Sequence, residues 1–132
     1  MKKIQLRQDE ELALTFDKTL PIFRNKSGRP FVTAKDLHRG LGIKMPFQDW
    51  IRLKSKVTKI KGEYVEEGKD FLKFPGSDWL LTISTAIAFF EWEKPSKQGN
   101  DILKELCNLE LEDFEICTLL ARKQENERTS TN

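Results

Sequence analysis

Short apolar runs alternate with turn-forming clusters through the first third of the chain. Leu12–Phe16 (LALTF) and Leu20–Phe23 (LPIF) are two such runs, and Asn25-Lys26-Ser27-Gly28-Arg29 follows as a turn cluster. Gly28 supplies the positive φ that a tight turn asks for. Phe31-Val32-Thr33 then returns, which predicts a β-hairpin near residues 20–33. Pro21 and Pro30 fall near strand ends or edges, where a missing N–H is tolerated. A second hairpin is predicted further on. Asp70-Phe71-Leu72-Lys73-Phe74 alternates, Pro75-Gly76-Ser77-Asp78 has turn composition, and Trp79-Leu80-Leu81-Thr82 returns.

Between the hairpins the period changes to that of a helix. The Thr33 hydroxyl suits the N-cap of a short helix through Ala34, Leu37, His38 and Leu41, with Gly40 and Gly42 ending it. Gly42-Ile43-Lys44-Met45 is a tight connector, and Pro46 suits the first position of a second helix. There Phe47, Trp50, Ile51, Leu53, Val57 and Ile60 cover about half the circumference, with Arg52, Lys56 and Lys59 together on the opposite face. Trp50 aligns with Phe47, Leu53 and Val57, which places it in the core; exposed, it would be a binding anchor. Lys54 and Lys61 fall inside the apolar arc, where they would snorkel unless the helix ends before Lys61.

After the second hairpin, Thr82 is placed to cap a helix carrying Ile83, Ala86, Ile87 and Phe90 on one stripe, ended by Lys94-Pro95. Residues 100–108 read as helical, with Ile102, Leu103 and Leu106 on one side. Residues 111–122 continue helically through Phe114, Ile116, Cys117, Leu119 and Leu120. The pattern leaves open whether the two join across Leu109-Glu110. Lys123–Asn132 is polar and without period, which predicts a disordered tail. The whole describes an α+β fold: a small single domain over residues 1–122, with two β-hairpins, a helix-turn-helix-like pair and C-terminal helices, followed by the tail 123–132.

A chain of 132 residues fits one domain, and its nine Phe and three Trp argue against full disorder. No run approaches the roughly 18 apolar residues of a membrane span, and no signal-type apolar run follows Met-Lys-Lys at the start. Cys107 and Cys117 fit neither a disulfide scaffold nor a metal-ligand spacing, so they read as free thiols in a reducing, cytoplasmic compartment. The net charge of +2 conceals a strong asymmetry. Residues 18–61 carry twelve basic and two acidic side chains, whereas residues 62–132 carry eight basic and fifteen acidic. Such a basic front suits nucleic-acid phosphates or an acidic protein surface, or is neutralised by the chain's own acidic back. All three readings stay open at this level.

Little in the sequence points to catalysis. The one histidine, His38, has no accompanying Cys, Ser or carboxylate constellation. Gly40 and Gly42 lack the rest of a phosphate-binding loop, and Glu66, Glu67 and Asp70 read as a solvated turn. The expectation is a binding protein rather than an enzyme, with no catalytic residues, metal site or cofactor. In the unit from Val32 to Lys61, Arg52, Lys56 and Lys59 could meet phosphates while Gln48 reads a base edge. The acidic amphipathic stretch Leu106–Ala121 is suited to pack on the basic front of its own chain or on a second copy, giving a homo-oligomer.

These same residues carry a resemblance. Val32-Thr33-Ala34-Lys35-Asp36-Leu37-His38, then Leu41-Gly42, then Phe47-Gln48-Asp49-Trp50-Ile51, resembles the opening of the AntA/AntB family of phage antirepressor domains. Tyr64-Val65-Glu66-Glu67-Gly68-Lys69-Asp70-Phe71 is similar to its pattern of an aromatic, an acidic turn and Asp-Phe. Trp79-Leu80-Leu81-Thr82 with Ala86 resembles its aromatic-Leu-Leu-Thr strand and following helix, and Lys97-Gln98-Gly99 with Ile102 its Lys-x-Gly stretch. The resemblance covers residues 30–108. Trp79 departs from the usual Tyr, and Phe89-Phe90-Glu91-Trp92 is more aromatic than the family pattern, which marks Phe89 and Trp92 as partner-contact residues. The acidic segment Leu109–Arg122 stands where related phage proteins carry a second domain.

The resemblance implies a phage or prophage regulator in the cytoplasm of a bacterial host. It would relieve transcriptional repression by binding a phage repressor protein. The broader class of phage regulatory domains that it resembles binds DNA, so duplex DNA is the alternative partner. The residues expected to make the contact are Gln48, Arg52, Lys56, Lys59, Phe89 and Trp92.

Overall fold

The computed structural model describes residues 13–16, 20–74, 76–91, 93 and 96–130. In chain order these form strands β1 (Ala13–Phe16), β2 (Pro21–Arg24) and β3 (Pro30–Thr33), then helices α1 (Ala34–Leu41) and α2 (Phe47–Val57). Strands β4 (Lys59–Ile60), β5 (Glu63–Tyr64), β6 (Phe71–Phe74) and β7 (Asp78–Thr82) follow, then helices α3 (Ile83–Phe89) and α4 (Lys97–Ser130). The result is a small α+β domain with an antiparallel five-stranded sheet in the order β1–β2–β3–β7–β6 and a separate β4–β5 hairpin.

Both predicted hairpins are present, as β2–β3 and β6–β7. In the first, the Asn25 side chain holds the turn by accepting from the Ser27 and Arg29 amides at 3.1 and 2.9 Å, and Gly28 takes φ +83°. The two hairpins join through β3 and β7, where Val32 lies opposite Leu81. Strand alternation then separates two apolar clusters. Ile22, Val32, Phe71 and Leu81 join the main core with the helices, and Phe31, Leu72 and Leu80 form a smaller cluster with Phe23 and Phe74.

Thr33 caps α1 as expected, its hydroxyl accepting from the Asp36 amide, and Gly42 ends the helix at φ +65°. Gly40 does not end it. It lies inside α1, where an added Cβ would stand 2.7 Å from Ile102 Cδ1, so the missing side chain admits α4. Pro46 precedes α2 as its N-cap instead of taking its first position.

The stripe on α2 is rotated from the predicted one. Trp50 and Ile51 are buried, but Leu53 and Val57 are 46% and 53% exposed. Lys54 takes the inward place that periodicity assigned to them and is buried. The helix stops at Val57 because Thr58 turns extended, so Lys59 and Ile60 lie in a strand. Lys61 and Gly62, at φ +53° and +83°, form the tight turn of the β4–β5 hairpin, a third hairpin that the pattern did not announce.

The C-terminal stretch is one helix, continuous across Leu109-Glu110 and extending through Ser130. The expectation of a disordered tail from Lys123 is corrected over residues 123–130. No Gly or Pro interrupts residues 100–130, and Lys, Gln, Glu and Arg are good helix formers even without an apolar period. Ile102, Leu106 and Leu109 on its inner side join the main core with Leu37, Trp50, Ile83, Ala86 and Phe89. Among the described residues no helix is long and apolar enough to cross a membrane.

Candidate interaction surface

The α1–α2 unit is fixed from its inner side, and this decides what its outer side offers. Trp50 is buried, with its ring edge-on to Phe89 at 5.9 Å and 5.3 Å from His38. Its indole N–H donates to Glu93 Oε1 at 3.1 Å. The same carboxylate oxygen pairs with Lys54 Nζ at 2.8 Å, and Lys54 also donates to the Glu91 carbonyl at 2.9 Å. α3 and the segment after it therefore hold α2 through one apolar tie, Phe89 against Trp50, and three polar ones. His38 Nε2 donates to the Met45 carbonyl at 2.7 Å and ties α1 to the connector, a structural part.

With that face turned inward, Gln48, Arg52 and Lys56 project together at i, i+4, i+8, all exposed. Lys59 is exposed as well, but from β4, with its ammonium 4.7 Å over the Tyr64 ring. The four residues thus come from a helix and the hairpin packed beside it. Leu53 and Val57, one helical turn apart, are exposed on α2 next to the basic side chains. They join the surface that sequence periodicity had placed in the core. The only advance sign was Lys54 at an inward position, whose burial requires a partner for its ammonium.

Two predicted contact residues fare differently. Phe89 is fully buried against Trp50, so it is a core residue and is not available to a partner, which corrects that expectation. The helical period that placed Ala86 and Phe90 inside also carries Phe89 inward, since α3 is covered on most of its circumference. Trp92 lies outside the described residues.

The basic front is divided between two fates. On the β2–β3 hairpin it is covered by the chain's own acidic helix. Arg24 pairs with Glu112 at 2.7 Å, and Arg29 pairs with Asp113 at 2.8 Å in a setting where both side chains are at least nine-tenths buried. Burial pushes the Asp113 carboxyl above its ordinary range, and the neighbouring Arg29 charge opposes that rise. Burial also raises the Cys117 thiol, whose Sγ donates to Asp113. On α2, by contrast, Arg52 and Lys56 make no ion pair with any described residue.

Beside the β4–β5 hairpin an open groove of about 610 Å³ runs between Lys59–Lys61, Ile87 on α3, and Leu103 and Glu110 on α4. Its walls are apolar with both signs of charge at the rim. Among the described residues no group of three His, Cys, Asp or Glu is arranged to hold a metal ion. The surface is cationic, with the exposed pair Leu53 and Val57 beside the basic side chains and the groove bordered by Lys59. No family model, curated protein or solved structure matches the chain.

Proposed function

We propose that this protein is a phage or prophage regulator, an antirepressor that binds a phage repressor protein and relieves transcriptional repression. The observation that carries the reading is the outer face of α2. Leu53 and Val57 stand 46% and 53% exposed beside Arg52 and Lys56, which no acidic side chain of the described chain pairs. An apolar pair with a cationic rim suits a protein partner whose own apolar spot is ringed by Asp and Glu. The resemblance of residues 30–108 to phage antirepressor domains supplies the class of partner. The action is binding alone and asks for no cofactor or catalytic group. It belongs in the cytoplasm of the bacterial host, where the repressor works. Self-association through α4 is part of the same reading.

The test is titration of the protein into a repressor–operator complex from the same phage, read by mobility shift. Release of the operator supports the reading, and an intact complex at saturating protein rejects it. Combining Leu53→Asp with Arg52→Glu is expected to abolish release while leaving the fold in place, because both side chains lie outside the core.

A second reading, a DNA-binding regulator, is favoured by one specific feature. The β4–β5 hairpin directly follows α2, so Lys59 and Lys61 flank a helix whose outer face presents Gln48, Arg52 and Lys56. A helix with a basic hairpin beside it suits a major groove and its phosphates. That reading predicts duplex binding that weakens steeply with salt and a smaller salt slope on replacing Arg52, Lys56 and Lys59 by Ala. Absence of duplex affinity at low salt rejects it.

A further inference from the structure

We propose that two copies of this chain associate antiparallel through the outer faces of α4, with Leu111 of each copy packed on Phe114 of the other. The helix has two seams. Ile102, Leu106, Leu109 and Asp113 face inward and are buried. On the opposite side Cys107, Leu111, Phe114, Thr118 and Ala121 follow one another at spacings of four, three, four and three residues. That is the repeat by which one helix lays a continuous strip against another. The inner seam is satisfied by the domain. In the outer one Leu111 and Phe114 are 69% and 68% exposed. Two large apolar side chains one turn apart, left in water on a helix already anchored on its other face, call for a cover.

The flanking charges select a second copy and its direction. In a parallel pair the residue just before one seam position faces the residue just after the next on the partner. That would set Glu110 of one copy against Glu115 of the other, like against like. Turning one helix round removes this clash. With Leu111 on Phe114 of the second copy, the two-fold axis falls between Glu112 and Asp113. Cys107 then lies level with Thr118 of the second copy, and Asp101 beside its Arg122, each contact occurring twice. The strip from Cys107 to Ala121 spans about 21 Å of helix, which makes a small interface.

This deepens the self-association in the proposed function and does not depend on the repressor, since oligomeric state and operator release are read separately. The experiment is sedimentation of the full chain over a wide concentration range, with Leu111→Glu combined with Phe114→Glu as the comparison. A concentration-dependent dimer is expected, weakened at least about tenfold in the double variant. Both positions are exposed, so its circular dichroism and melting should match the parent. Direction is read in a Cys117→Ser, Thr118→Cys chain treated with a short bis-maleimide. The expected link joins Cys107 to position 118 of the other copy. A monomer at every concentration, a dimer indifferent to the double variant, or a link between two Cys107 residues overturns the proposal.

Discussion

Glu93 shows how much one side chain decides here. Its carboxylate serves both the Trp50 indole and the Lys54 ammonium, and Lys54 has only 6% of its side chain exposed. Removing one partner of a buried pair leaves an uncompensated charge, which costs several times what the pair itself contributes. Glu93→Ala is expected to lower stability by about 3 kcal/mol in urea unfolding. Adding Lys54→Met should recover much of that loss, because the stranded ammonium is then gone. Asp113 makes the complementary point through pH. Burial holds its carboxyl above 3.8, so the folded chain binds that proton more tightly than the unfolded chain does. A group raised in this way contributes stability that declines as pH rises from about 3.8 through the folded value. The difference in melting between the parent and Asp113→Asn should therefore shift across that window, with the parent relatively more stable on its acidic side.

Elements in this chain are set by local chemistry where caps and turns are strong and by packing elsewhere. Thr33 and Gly42 bound α1, and Asn25 with Gly28 shapes the first turn. Each was readable because a side-chain acceptor or a positive φ does a job few other residues can. The Lys61–Gly62 turn was not readable, since Lys is an unusual choice at φ +53° and two-residue strands leave almost no alternation. That choice has a measurable consequence. Lys61→Asn, which tolerates the left-handed region better, should raise stability by about 0.5 kcal/mol in chemical unfolding. α2 illustrates the opposite limit. Its apolar residues cover so wide an arc that the pattern admits two rotations, and Lys54 with Glu93 selects the one that turns Leu53 and Val57 outward.

At the scale of the whole molecule the charge asymmetry becomes a division of labour. The acidic helix α4 takes up Arg24 and Arg29, while α2 keeps Arg52 and Lys56 outward. The two groups should respond differently to substitution. Arg29→Met strands the buried Asp113 carboxyl and is expected to cost about 3 kcal/mol, whereas Arg52→Ala with Lys56→Ala should stay within about 0.5 kcal/mol of the parent. Thermal melts of the two variants side by side check this. If the α2 pair proved as costly as Arg29, its basic face would be engaged within the fold and could not serve a partner.

By itself the sequence determined the features that depend on neighbours along the chain. These are the two longer hairpins, the Thr33 and Thr82 caps, the α+β class and the uneven spread of charge. Such features follow from backbone preferences and from a period that repeats within a few residues. Only the tertiary structure decided which basic residues meet an acidic partner, because Arg29 and Asp113 lie 84 positions apart. It also decided that Phe89 is core and that Leu53 is surface. The exposure of Leu53 rests on the inward turn of Lys54, whose burial is tolerable only because Glu93, from a distant segment, stands within 2.8 Å.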